Sequence, residues 1–273
     1  MFKKIAIISS LSLLVAGGAN ADYQWELGGN YATGEIDSDA QDADQDIFGF
    51  QGRYYIAPVD TSKGPLAEAA FLDRASHIEL NYENGEIDLD GLGDVDSEAY
   101  SLGGRWVHKE SGWLADFEYR VDEIDDQDID TYSVGIGRYL GQNTTLTASY
   151  GHVEQDDVDF LEADIWGLDV EHLMSFDNGT SLKMAAGYGY VDTDEGDSGD
   201  QYRLEGTYYP TEKLGIGAAY ERLDVEQEVD NWKVYADWFV NDQVALTVSY
   251  GESDFDTWGL DAQEFLLGVR VRF

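Results

Sequence analysis

A two-residue period constrains this chain more than any other feature. From Asp22 to Phe273, runs of about ten residues alternate apolar and polar side chains, and polar breaks separate the runs. Successive side chains of a strand point to opposite faces, so each run reads as a β-strand with one greasy and one wet side. In the last run Phe265, Leu267, Val269, Val271 and Phe273 fall on one side, and Glu264, Gly268, Arg270 and Arg272 on the other. Earlier, Trp113, Ala115, Phe117, Tyr119 and Val121 alternate with Asp116, Glu118, Arg120 and Asp122. Fourteen such runs can be counted, from 22–36 to 263–273.

The breaks come in two kinds. One set is short and turn-like, as in Asp177-Asn178-Gly179 and Asn241-Asp242; the other is longer and acidic, as in Ser38 to Gln45, Asp88 to Asp96, Asp125 to Asp130, Gln155 to Glu162 and Thr193 to Asp200. Short turns at one end and longer loops at the other are the plan of a transmembrane barrel. The expectation is all-β: a single antiparallel β-barrel of fourteen strands, with short periplasmic turns and longer acidic extracellular loops. A β-sandwich also alternates along its strands. Aromatics near the strand ends favour lipid, because interfacial girdles sit there: Tyr23, Trp25, Trp106, Trp113, Trp166, Tyr208, Trp232 and Trp238.

Composition narrows the function. The 273 residues include 16 Lys+Arg and 56 Asp+Glu, a formal charge of −40, which leaves no basic stripe for nucleic acid. Aromatics at 13% exclude acidic disorder, and the lack of Cys excludes disulfides, thiolate metal sites and a cysteine nucleophile. Residues 1–21 read as a secretory signal: Lys3 and Lys4, an apolar run from Ile5 to Val15, and Ala19-Asn20-Ala21 as the cleavage site. Residues 22–273 would then be the barrel, exported and placed in outer-membrane lipid.

The chain ends in Gly268-Val269-Arg270-Val271-Arg272-Phe273. This resembles the C-terminal signal by which barrel-assembly machinery recognises outer-membrane barrels, carried by Val269, Val271 and Phe273. A second stretch, Tyr54-Tyr55-Ile56-Ala57-Pro58-Val59-Asp60 followed by Lys63-Gly64-Pro65-Leu66-Ala67-Glu68-Ala69-Ala70-Phe71-Leu72, resembles the first periplasmic connection of the general porin family of Gram-negative outer membranes, of the marine gammaproteobacterial type. The resemblance implies a passive channel for small hydrophilic solutes and ions. It supplies no catalytic residues and no cofactor.

That connection breaks the short-turn rule, and residues 65–72 have the composition of a short helix with Pro near its start. It reads first as a packed periplasmic turn, and second as a constriction in which Pro65, Leu66 and Phe71 narrow the mouth. No acidic loop exceeds about a dozen residues, so the remaining source of narrowing is the wall itself. By parity, eight basic residues face the lumen: Arg53, Arg105, Arg120, Lys183, Arg203, Lys233, Arg270 and Arg272. Acidic residues on the same surface include Glu26, Glu79, Asp116, Glu118, Asp169, Glu171, Glu205, Asp237 and Glu264, which would pair with them as cross-strand ladders. The uncompensated negative charge predicts cation selectivity.

Metal and enzyme readings are weaker. Glu86-x-Asp88-x-Asp90-Gly91 has Ser97, not an acid, at the twelfth position of a calcium loop, so only diffuse divalent cations at the acidic loops are expected. His77, His108, His152 and His172 are isolated on different runs, and Ser149 and His152 are three residues apart, on opposite faces of a strand. A barrel protease or lipase is the rival class, and a closed structural or adhesive barrel the third. Oligomeric state has no signature in the sequence.

Overall fold

The computed structural model describes residues 22–38, 42–89, 93–124, 127–155, 162–193, 198–225, 228–255 and 259–273. The signal segment, and the tips of the seven connections at one end, lie outside the described residues. Asp90 and Gly91 of the calcium-like motif are among those tips.

Fourteen strands form the fold: β1 Tyr23–Ser38, β2 Ala43–Val59, β3 His77–Leu89, β4 Gly93–Val107, β5 Trp113–Ile124, β6 Gln127–Tyr139, β7 Thr144–Gln155, β8 Ala163–Ser175, β9 Ser181–Thr193, β10 Ser198–Thr211, β11 Leu214–Asp224, β12 Glu228–Phe239, β13 Val244–Phe255 and β14 Leu260–Arg272. Each pairs antiparallel with its sequence neighbours, and β1 closes on β14 from Glu26↔Arg272 to Ser38↔Leu260. The cylinder has no free edge to recruit another chain. Fourteen strands ~4.8 Å apart and tilted ~40° give a backbone radius of roughly 14 Å.

The outward face is apolar over the middle of every strand. Phe50 is 62% exposed, Leu80 61% and Ile136 61%, values that only lipid would cover. Two aromatic belts bound this band. Trp25 and Tyr31, Tyr100 and Trp106, Trp113 and Tyr119, Tyr202 and Tyr208, and Trp232 and Trp238 are each six residues apart on their strands, roughly 20 Å along the strand at ~3.3 Å per residue. No described helix is long and apolar enough to cross a membrane.

Two sequence readings change. Tyr23, expected in the outer girdle, is 2% exposed and points inward, its ring 5.2 Å from that of Tyr55. A register shift between Tyr23 and Trp25 turns it to the other face. The acidic stretches, expected as loops, are strand over most of their described residues, while nearly all of Gln155 to Glu162 lies outside those residues. Pairing continues to Ile36↔Ala43, Leu89↔Gly93, Ile124↔Gln127, Ser198↔Asp192 and Asp224↔Glu228. Cross-strand hydrogen bonds outweigh the low strand preference of Asp there.

A ring of tyrosines marks where this extension begins. Every hairpin supplies one: Tyr31 donates to Asp46 at 2.6 Å, Tyr100 to Glu98, Tyr119 to Asp130 at 2.5 Å, Tyr150 to Asp164 at 2.7 Å, Tyr188 to Asp200 at 2.6 Å, Tyr220 to Asp230 at 2.5 Å and Tyr250 to Glu252 at 2.7 Å. The ring edge lies in lipid and the hydroxyl meets a carboxylate at the boundary.

At the end that carries both termini, the connection between β2 and β3 turns into the cylinder. A 3-10 turn, Leu66–Glu68, leads into helix α1, Ala69–Asp73, which ends on Arg74 at φ 54°. Leu66 and Ala67 pack with Leu173, Tyr209, Phe239 and Ala245, all on inward faces of β8, β10, β12 and β13. Leu66 is 2% exposed, a burial that stabilises by roughly 1.5–3 kcal/mol. Leaving β2, the segment thus reaches the opposite wall, where Leu66 N donates to Glu212 O at 2.8 Å.

Candidate functional site

The inserted segment and the wall enclose a cavity of about 470 Å³. Its floor is Ala67, Glu68, Ala70 and Phe71. Glu68 accepts from Tyr209 Oη at 2.6 Å and lies 3.3 Å from Lys183 Nζ. The Phe71 ring stacks 5.5 Å from that of Tyr139, and the Tyr139 hydroxyl donates to the Phe71 carbonyl at 3.0 Å. Arg74 lies over the Tyr139 ring at 4.8 Å and donates to the Lys109 carbonyl at 2.9 Å, which ties the segment to the next turn. Asp73 receives both Lys63 and Lys109. At the entry to the segment, the Ser62 hydroxyl and N–H donate to Asp60 at 2.7 and 3.0 Å, and these bonds hold its carboxyl below the usual range.

The walls are ionic because the inward parity of each strand is polar. Arg105 pairs with Asp116 at 2.6 Å and Arg203 with Asp169 at 2.6 Å, and Glu118, Glu171, Glu205 and Asp237 also line the cavity. Eight carboxylates face four cations there: Glu68, Glu79, Asp116, Glu118, Asp169, Glu171, Glu205 and Asp237 against Arg53, Arg105, Lys183 and Arg203. Tyr235 lies along the wall, donating to Glu205 at 2.6 Å and bonded to Thr207 at 2.6 Å. Gly217 makes room for it, since a Cβ there would sit 2.3 Å from the tyrosine ring.

Of the residues singled out by parity, Arg53, Arg105, Asp116, Glu118, Asp169, Lys183, Arg203, Glu205 and Asp237 line this cavity. Arg120 lies nearer the far mouth and pairs with Glu83 and Asp122 at 3.0 and 2.7 Å. Lys233 and Glu264 feel each other's charge on neighbouring stretches of the same face. Arg270 and Arg272 sit lower, at the seam. There Glu26, fully buried, holds Arg272, Arg53 at 3.4 Å and Arg270 at 3.8 Å, while Arg270 also reaches Asp237 at 3.1 Å. Phe273 closes the same seam, its carbonyl accepting from Gln24 and Trp25 and its N–H donating to Trp25. Val269 and Val271 look outward beside it. Pro65 is buried, Leu66 packs against the wall outside the cavity lining, and Phe71 is in the floor.

Applied to charged strand residues only, the parity reading left out Glu68, which is on no strand, and the inward tyrosines Tyr139, Tyr209 and Tyr235. Strand parity alone would have placed the three tyrosines. Ser149 lines the cavity while His152 faces outward to Asp164 at 2.8 Å, so the two do not meet. Among the described residues no group of three His, Asp or Glu side chains converges on a metal-sized space.

A closed, lipid-facing cylinder with an ionic interior defines an outer-membrane β-barrel of the channel-forming kind. The family model described as "Putative general bacterial porin" matches residues 1–166 and 149–273, and the chain belongs to that family. It is therefore a protein of the Gram-negative outer membrane, in contact with membrane lipid and small solutes. Among solved structures it is similar to the outer membrane protein Omp33 of Acinetobacter baumannii, with 21% identity and a TM-score of 0.65 over 93% of this chain and 100% of that one. An outer membrane channel of Pseudomonas putida F1 is similar at 11% identity and a TM-score of 0.50, over 98% of this chain and 100% of that one. Among curated proteins, none matches it.

Proposed function

We propose that the chain is a cation-selective diffusion channel for small hydrophilic solutes, entered at the acidic end and narrowed at the periplasmic end, where the termini lie, by residues 66–73. The observation that carries this is the excess of eight carboxylates over four cations around the cavity above the floor. In a confined, low-dielectric passage such an excess concentrates cations and repels anions. The ion pairs of the wall cancel in sign and leave this surplus in place. The reading sets the enzyme class aside, because membership of the porin family supports a passive channel. It retains three expectations of the sequence: cleavage after Ala21, recognition of Val269, Val271 and Phe273 by the assembly machinery, and loose divalent cations along the acidic rim.

Reversal potential in a KCl gradient across a planar bilayer tests the selectivity. The expected potential lies toward that of K⁺, and it shrinks in high salt as the Debye length falls from ~10 Å at 0.1 M to ~3 Å at 1 M. A potential on the chloride side overturns the proposal.

A further inference from the structure

Above the tyrosine ring the barrel reverses its polarity. Carboxylates such as Asp46, Asp130 and Asp230 share the outward face with the lipid-facing aromatics below them. The inward face becomes largely apolar instead, with Asp122 and Gln155, the register partners of Ile129, among its polar exceptions. Ile87 faces Val95, Ile165 faces Val191, and Leu223, Val229, Phe255 and Leu260 face one another in succession across four strands. Val229, Phe255 and Leu260 are 5, 7 and 5% exposed and pack with Ile36, Leu223 and Ala262. The reversal has a physical cause: beyond the hydrocarbon the outer surface meets water, so the sheet follows the rule of a soluble sheet, charges outward and aliphatics inward.

The consequence is a far mouth whose inner wall is lined by aliphatic side chains and whose outside is anionic. The mouth leads directly to the ionic cavity. Ile129 and Ile165 stand four residues above Ser133 and Asp169, which line that cavity, roughly 13 Å along the strand. Among the described residues, a solute entering from the acidic end meets an apolar surface first and a carboxylate-rich one next.

We propose that this mouth selects organic cations that carry an apolar body, of which an alkylammonium ion is the simplest. The inference rests on the cation-selective reading and refines it. Ile87, Ile129 and Ile165 are each partly exposed, and an alkyl group removes part of that surface from water, while the ammonium is drawn toward the surplus carboxylates below. A hydrophilic cation gains only the second contribution, a neutral apolar solute only the first, and an anion is repelled.

The test uses the refolded mature chain in a planar bilayer and two ions of equal size, n-butylammonium and 3-hydroxypropylammonium, which differ by a methyl against a hydroxyl. Permeability relative to K⁺, read from bi-ionic reversal potentials, is expected to be roughly threefold to tenfold higher for butylammonium. The triple variant Ile87→Thr, Ile129→Thr, Ile165→Thr keeps β-branching and so strand preference. It is expected to bring the two ions level and to leave K⁺ against Cl⁻ unchanged. The single variants I87T and I129T, each expected to shift the ratio part-way, serve if the triple does not refold. Equal permeability in the wild-type chain, or a preference that survives the substitutions, overturns the inference. An anion-side potential in plain KCl is a separate result, and it removes the underlying selectivity instead.

Discussion

Glu26 shows how a single residue sets the seam. Its register partners are Arg272 on β14 and Arg53 on β2, so one carboxylate links the last strand to the first and the first to the second. It is 0% exposed, and taking it out of water costs several kcal/mol that the three guanidinium neighbours offset. Glu26→Gln leaves Arg270 with Asp237 and Arg53 with Glu79, but leaves Arg272 with no carboxylate partner, only the Leu66 carbonyl at 3.3 Å and the ring faces of Tyr23 and Phe239. The expected loss is about 3–5 kcal/mol, measured as a fall in the urea midpoint of the refolded barrel. Arg222→Gln removes a solvent-facing cation from Glu228 and Asp230 on the outer face, and is expected to move the midpoint far less, because an exposed pair is screened by water. Equal losses for the two variants would show that burial does not set the strength of these pairs.

The strands were legible as elements because their period is two and lipid enforces it: every second side chain between the belts is apolar. Their ends were not. Past the tyrosine ring the apolar parity passes from one face to the other, and Asp-rich stretches such as Asp44 to Asp46 look like loops to any reading that expects grease outside. Tyr23 escaped for a related reason, since one bulged residue inverts the face without leaving a mark in the composition. Residues 65–72 were readable as a helix, but no local signal says whether a helix at a mouth packs outside or inside. The decisive contacts join residues far apart in the chain, such as Tyr209 to Glu68. The proposed narrowing is tested at this element. The double variant Glu68→Ala, Phe71→Ala removes the bonds to Tyr209 and Lys183 and the stack on Tyr139. Single-channel conductance is expected to rise severalfold, and deletion of residues 63–72 to raise it further. Unchanged conductance in both would reduce the segment to a packed turn.

For the molecule as a whole, charge and membrane position are coupled. Of the 56 acidic residues many are displayed outward on the extension above the tyrosine ring, where Arg222 is the cation on the outward face among the described residues. Neighbouring strands set like charges directly opposite one another, as in Asp88↔Asp94, Glu86↔Asp96 and Asp254↔Asp261. Like charges in such positions destabilise a sheet. Hydrogen bonds from tyrosine satisfy one carboxylate per hairpin but remove no charge. The extension is therefore held by its backbone ladder and its aliphatic inner face against its own electrostatic repulsion, and salt should relieve that repulsion selectively. Between ~0.01 M and ~1 M NaCl the Debye length falls from ~30 Å to ~3 Å, which is shorter than the spacing of next-nearest strands. The Tm of the refolded protein is expected to rise over that range, and to rise further with MgCl₂ at equal ionic strength, because a divalent ion can serve two facing carboxylates. The lumenal pairs oppose this trend, since screening weakens attraction too, but they are half-buried or buried and feel salt much less. A Tm that falls with salt would mean that the wall pairs outweigh the outer repulsion, and that the acidic extension is neutralised in some other way.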